Sequence, residues 1–186
     1  MKTRDLLLAL DQGSSSSRAV VFDLKGKIVA MAQRPVRTKR PKAGWAEHDA
    51  LELAKTLESA LDAVLSKLGP KDRVLAAGLA VQRSTIVFCE RGTFKPGAPS
   101  PSWMDGRASE FVVPLQDRQG EVHGLSGLYA TPYYSAPKIR WFLDHEPKVR
   151  ALADAGRLLC APVSTFIAAR LTKGAVVAAD PTCAQR

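Results

Sequence analysis

Asp11-Gln12-Gly13-Ser14-Ser15-Ser16-Ser17-Arg18 gathers one carboxylate, four hydroxyls and one guanidinium into eight positions. Such a set suits an anion with a metal ion beside it. Gly13 permits a tight turn and a close approach of backbone to ligand. Phosphate oxygens are natural partners for the N–H groups of the turn and for the hydroxyls of Ser14, Ser15, Ser16 and Ser17. Asp11 is suited to hold a magnesium ion through water, because that ion gives up its hydration shell reluctantly. Arg18 would neutralise charge on a transferring group. The same stretch also reads as an ordinary polar hairpin, since serine is common in turns. It is not a Walker A loop, because no GxxxxGK[ST] occurs.

A second group of candidates lies further on. Gln82-Arg83-Ser84-Thr85 follows an apolar run that ends at Val81. Loops at strand ends commonly carry binding groups in open α/β sheets. The fixed donors of Arg83 match vicinal hydroxyls, although a surface arginine at a strand break is an equal reading. Trp103 in Trp103-Met104-Asp105-Gly106-Arg107 has a face for a sugar ring, or else a place in the core. Asp105 and Arg107 form a natural pair to fix that loop. His48 stands near no nucleophile and reads as a structural hydrogen-bonder.

These residues need elements to hold them. Leu6–Leu10, Ala19–Phe22 and Ile28–Gln33 are apolar runs joined by short turns, which predicts three antiparallel strands. Asp49 begins a helix, with Glu52 completing a capping box. Leu53, Leu57, Ala60, Leu61, Val64, Leu65 and Leu68 recur at helical spacing, and Gly69-Pro70 ends the run. Val74–Val81 and Thr85–Cys89 follow as strands, and a strand after a helix implies a crossover and a sheet of mixed direction. Residues 91–102 read as a loop. Helices are expected over 105–116, 135–144 (Ser135 as N-cap, Pro137 in the first turn), 147–153 and 162–171, with a short strand over 158–160.

The 186 residues, 46% hydrophobic and 24% charged, suit a globular domain or part of a larger one. Net charge is +9, but its one cluster (Arg34, Arg37, Lys39, Arg40, Lys42) is broken by Pro35 and Pro41 and lacks interleaved aromatics. It reads as a solvated edge rather than a phosphate-tracking patch, so no nucleic-acid partner is expected. Cys89, Cys160 and Cys183 form no CxxC pair, which argues against zinc and a disulfide framework and fits a reducing cytoplasm. Cys89 and Cys160 read as small core residues. No signal peptide and no membrane span are expected.

Leu10–Arg18 resembles the phosphate-binding hairpin of FGGY carbohydrate kinases, above all the glycerol kinases, with serines where threonines are usual at Ser14 and Ser15. Gln82-Arg83-Ser84-Thr85 resembles their acceptor motif, with Ser84 in the place of a glutamate. Trp-x-Asp-x-Arg at 103–107 resembles the wider family. So does Gly127–Lys138, which puts Tyr133 where a tyrosine lines the polyol pocket. Gly44–Asp49 and Ala179–Arg186 resemble two further family segments.

The resemblance implies an α/β, ribonuclease H-like (actin-like ATPase) mixed sheet with flanking helices, in the N-terminal domain of a two-domain kinase. It implies ATP and Mg2+ as cofactors. Asp11, Gly13, Ser14, Ser15, Ser16 and Arg18 would meet the phosphates, with Asp11 organising the metal. Arg83, Ser84, Trp103, Asp105 and Tyr133 would meet a sugar or polyol. Ser84 in place of a carboxylate points to an acceptor larger than glycerol, such as a pentulose or a four- or five-carbon polyol. The general base, an aspartate in a Gly-Asp-Gln type motif, and the nucleotide half are expected beyond Arg186. Residues 1–186 are therefore expected to be a truncated domain, inactive alone, with a homo-oligomer a possibility. The alternative is a non-catalytic sugar-binding or regulatory module derived from such a kinase. A ribonuclease H-like nuclease would need clustered carboxylates, which do not accompany Asp11.

Overall fold

The computed structural model describes residues 3–186, which divide into two compact units. The first unit comprises the chain up to Arg37 together with Leu51–Gln82; the second comprises Thr38–Ala50 and Arg83–Arg186.

In the first unit, β1 (Arg4–Gln12), β2 (Ser16–Asp23) and β3 (Ile28–Pro35) form the expected antiparallel meander. Helix α1 (Ala50–Leu65) crosses over to β5 (Asp72–Val81), which pairs parallel with β1, giving a mixed sheet of order β3-β2-β1-β5. Alternation along the strands sets the faces. Leu6, Leu8, Leu10 and Gln12 of β1 are buried, as are Ala19 and Val21 of β2. On α1, Leu53, Ala54, Leu57, Ala60 and Val64 are buried at helical spacing. The helix is tied across the sheet by Thr56 to Ser17 (2.7 Å) and by Arg34 Nε to Ser59 Oγ (3.0 Å). It ends at Leu65, short of Leu68. Edge strand β5 leaves Leu75 and its alanines exposed.

In the second unit, β4 (Glu47–His48) pairs with β7 (Ser100–Pro101), and β6 (Ile86–Glu90) pairs antiparallel with β8 (Leu158–Pro162). Around them lie α3 (Ser135–His145), α4 (Pro147–Asp154) and α5 (Val163–Leu171). Ile86, Phe88, Ala108, Trp141, Phe142 and Val149 form the core, with Phe88 stacked on Phe142 at 4.4 Å. Cys89 and Cys160 are core neighbours as expected. Burial pushes the Cys89 thiol up to about 11, and burial together with Cys89 pushes Cys160 up to about 12.

Two local expectations are corrected. Residues 105–116 do not form a helix: Ser109–Phe111 and Val113–Arg118 are short 3-10 turns, and the α-helix is α2 (Gln119–Ser126). Pro114 has no N–H to donate, and Asp105 is committed elsewhere. Ser135 is the first residue of α3 rather than its cap, which is Tyr134. Asp180 has a structural role. It caps α6 (Pro181–Ala184), accepting N–H bonds from Thr182 and Cys183 at 3.0 Å each.

Hydrogen bonds from the Thr182 hydroxyl and from Cys183 hold the Asp180 carboxyl down at about 2. A depressed carboxyl stabilises the fold above its unfolded value near 4 and ceases to do so as pH falls through about 2. Asp180→Ala is expected to cost roughly 0.5–1 kcal/mol at neutral pH, since the cap is exposed. Hydrogen exchange at Thr182 and Cys183 should rise, and an unchanged rate would exclude the cap.

Candidate functional site

The hairpin of the first unit is tighter than the motif suggests. Asp11 and Gln12 belong to β1 and Ser16 to Arg18 belong to β2, so only Gly13-Ser14-Ser15 forms the bend. Gly13 N–H donates to Ser16 O at 3.0 Å, and a Cβ on Gly13 would lie 3.0 Å from that same oxygen. Glycine is thus required by close approach.

The expectation that all four hydroxyls meet phosphate oxygens is corrected, because two of the serines are buried. Ser17 is fully buried and donates to Gln12 Oε1 at 2.9 Å. Ser16 is also buried. Ser14 donates to Gln82 Oε1 at 3.1 Å, and Gln12 Nε2 donates to the Gly13 carbonyl at 3.1 Å. Two glutamines therefore prop the bend from behind.

Ser15 and Arg18 stay exposed, and Asp11 is about half exposed. Asp11 and Arg18 are cross-strand partners with 3.4 Å between carboxylate and guanidinium. Asp11 thus offers one open carboxylate with charge of the opposite sign beside it. That fits a magnesium ion held by one side chain, water and phosphate, not an all-protein cage. Among the described residues no group of three or more His, Cys, Asp or Glu is placed to bind a metal.

The second unit gathers the other candidates around one buried cation. Lys138, on α3, is 0% exposed. Its Nζ donates to Ser84 O at 3.0 Å, Ser102 O at 2.7 Å and Tyr133 O at 2.8 Å. Those carbonyls belong to the segments that carry Arg83 and Ser84, Trp103, and Tyr133. Trp103 N–H also donates to Thr85 Oγ1 at 3.1 Å, and Gly106 lies against the Tyr133 ring. Trp103 is 46% exposed and Tyr133 is 51% exposed, so neither is a core aromatic. Arg83 is exposed, whereas Ser84 is buried with φ at +62°.

Asp105 is fully buried, and this corrects its assignment to the acceptor. Its oxygens accept from Ala46 N–H at 2.7 Å and from Arg107 N–H, Nε and Nη2 at 3.1, 2.9 and 2.8 Å. Arg107 also reaches Glu47 at 2.7 Å and lies over Trp45 at 3.9 Å. Burial works against the Arg107 charge, but the bonds it donates to Asp105 and Glu47 and the charges of those carboxylates outweigh it, so its pKa is raised. The pair fixes the loop, as its spacing suggested.

Sequence reasoning gave no role to Lys138, Gln12, Gln82 or Thr56. Parity would have found two of them. Lys138 stands three and four residues before Trp141 and Phe142, on the apolar face of its helix, and Gln12 continues the inward series of Leu6, Leu8 and Leu10.

No helix of the described residues is long and apolar enough to cross a membrane. Residues 6–186 match the N-terminal domain of the FGGY family of carbohydrate kinases. The chain is 40% identical over 183 residues to glycerol kinase of Shewanella baltica, covering 97% of the chain and 37% of that protein. It is 39% identical over 183 residues to glycerol kinase of Methylibium petroleiphilum, with the same coverage. Among solved structures, Plasmodium falciparum glycerol kinase with ADP superposes with a TM-score of 0.91 at 27% identity, over 100% of this chain and 38% of that one. A ligand-bound xylulose kinase from Lactobacillus acidophilus, at 18% identity, shares the fold with a TM-score of 0.84 over 97% of this chain and 36% of that one. The chain spans a little over a third of the length of the curated relatives it matches. With a mixed sheet, a flanking crossover helix and a family match over nearly all its residues, the chain belongs to the FGGY family of carbohydrate kinases.

Proposed function

We propose that this chain supplies the phosphate-binding hairpin and part of the acceptor pocket of an ATP-dependent kinase for a small polyol or sugar. The observation that carries the reading is the propped bend after β1, which leaves Ser15, Arg18 and half of Asp11 open at one end of the sheet. Backbone N–H groups at the bend suit phosphate oxygens, and Arg18 suits charge that develops on the transferred group. Asp11 would hold a magnesium ion through water, and that ion would supply charge neutralisation between the terminal phosphates. The protein's task is alignment more than covalent chemistry.

On the acceptor side, Arg83 donates to neighbouring hydroxyls, while Trp103 and Tyr133 offer half-open aromatic faces to a carbon skeleton. Glycerol is the acceptor named for the relatives at about 40% identity. Ser84 instead of a carboxylate removes a strong acceptor of hydroxyl protons, which favours a pentulose or a four- or five-carbon polyol. Asp105 and Asp180 are committed to an ion pair and a cap, and Asp11 is assigned to the metal. None is free to serve as general base, so residues 1–186 alone are expected to be inactive.

The full-length protein that carries this chain should release ADP from ATP and magnesium with one member of a panel of glycerol, erythritol, ribitol, xylulose and ribulose. Asp11→Asn should lower that turnover by roughly a hundredfold or more. If no acceptor gives ADP above the water background, the reading fails. Turnover by residues 1–186 alone would show that the base lies within them.

A further inference from the structure

We propose that Lys138 is a positioning residue of the acceptor pocket, its ammonium tying together the Arg83–Ser84 turn, the Ser102–Trp103 turn and the Tyr133 segment, and so setting how those side chains meet the acceptor. The inference rests on the reading of the second unit as the acceptor site.

An ammonium has three N–H donors and no acceptor. Lys138 places all three, on Ser84 O, Ser102 O and Tyr133 O. The first two acceptors lie 54 and 36 residues away in sequence, so the contacts are tertiary and not a feature of the helix. A buried lysine is costly unless its charge is met. Here it is met only in part, by three carbonyl dipoles, since the carboxylate of Asp105 is bonded to Arg107. The effect is to fix three carbonyls at one point.

That fixing bears on the side chains. Ser84 has a left-handed backbone, unusual for a residue with a Cβ. Such a conformation persists only when its surroundings over-determine it, and the Lys138 bond to its carbonyl is one such restraint. Arg83 directly precedes it and leaves the turn in the direction the turn imposes. Trp103 directly follows Ser102, and its own N–H is held by Thr85, so a direct bond joins the first and second segments beside the Lys138 bridge. Tyr133 contributes the third carbonyl and its ring at the same time.

The charged groups that bear on the ammonium are Asp105, which favours its charge, and Arg107, which opposes it. Neither receives a hydrogen bond from Lys138, so neither substitutes for the three carbonyls.

Lys138→Met keeps the length of the side chain and removes every donor; Lys138→Gln keeps two donors. Val149→Ala, in the same core and away from the three carbonyls, controls for loosened packing. In the full-length protein, Lys138→Met should raise KM for the acceptor roughly ten- to a hundredfold while KM for ATP holds within about twofold. Lys138→Gln should recover part of the loss, and Val149→Ala should leave acceptor KM near wild type. Hydrogen exchange on residues 1–186 covers the case in which Lys138→Met does not fold. In Lys138→Gln the amides of 83–85, 102–104 and 131–134 should exchange faster together. Equal acceptor KM in wild type and Lys138→Gln, or a rise in Val149→Ala as large as in the lysine variants, overturns the positioning role while wild-type turnover stands. A wild type that phosphorylates no acceptor removes the functional reading and this inference with it.

Discussion

Asp105→Ala is expected to destabilise the second unit by about 3–5 kcal/mol, seen as a lower midpoint of urea unfolding. The carboxylate is fully buried and accepts four hydrogen bonds, two from the Arg107 side chain. Removing it leaves a guanidinium that is 2% exposed with Glu47 as its remaining carboxylate, among the rings of Trp45, Trp141 and Phe142. It also takes away the one charge that favours the Lys138 ammonium. Arg107→Met should cost less. Asp105 would keep the N–H groups of Ala46 and residue 107, and a thioether can fill the space between Trp45 and Trp141. Asp105→Asn should fall between, keeping some hydrogen bonds without the charge. The order Asp105→Ala, then Asp105→Asn, then Arg107→Met follows from which group is left unpaired. Should Arg107→Met prove the worst, the energy would reside in stacking of the guanidinium on the rings. Asp105→Ala combined with Lys138→Met should cost less than the sum of the two, because the first loss bears partly on the second residue.

The first unit was largely legible because its periodicities agree with its fold. Leu6 to Leu10 and Ala19 to Phe22 alternate or run apolar between turns, and Leu53 to Val64 repeats at helical spacing. Sheet and helix therefore bury what the pattern says they should. The crossover to β5 followed from a helix standing between strands. Residues 105–126 were not legible. No residue of α2 is buried, so its sequence carries no apolar period, and Gly120 and Gly124 weaken its propensity. The αL glycine that closes it, Gly127 at φ +69°, was its one available signal.

The site divides along the same physical line. Residue types announced the hairpin, but hydroxyl count misled, since it ignored strand parity. Ser17 pairs with Gln12 in the ladder, shares the inward face with Ala19 and Val21, and must point into the unit. Asp105 was read both as loop fastener and as acceptor contact, and only burial could separate the two. Lys138 escaped because its partners are backbone carbonyls from distant segments. A carbonyl has no residue type, so no motif can encode it.

Between about pH 7 and 9 the fold should gain stability from Lys138, and Lys138→Met should lack that gain. Burial pushes the ammonium from 10.5 down to about 7, with Asp105 opposing the shift and Arg107 adding to it. Below about 7 both folded and unfolded chains carry the proton, and the cost of the buried charge is full. Between about 7 and 10.5 the unfolded chain binds a proton that the folded chain does not, so stability rises with pH. Above that window both are neutral and the cost is gone. The whole shift is worth up to about 5 kcal/mol, of which roughly 2–3 kcal/mol falls between pH 7 and 9. The three carbonyls favour the charged form and hold the gain toward the lower figure. Urea unfolding at pH 6.5 and 9 for both proteins isolates the contribution, because thiols and other groups are common to them. Acceptor affinity should move the other way. A neutral amine keeps two N–H donors for three carbonyls, so the three segments loosen as pH rises through about 7. Stability rising while acceptor affinity falls is the signature of an ammonium held at a cost for the geometry it imposes. Parallel changes in the two would reduce Lys138 to a packing residue.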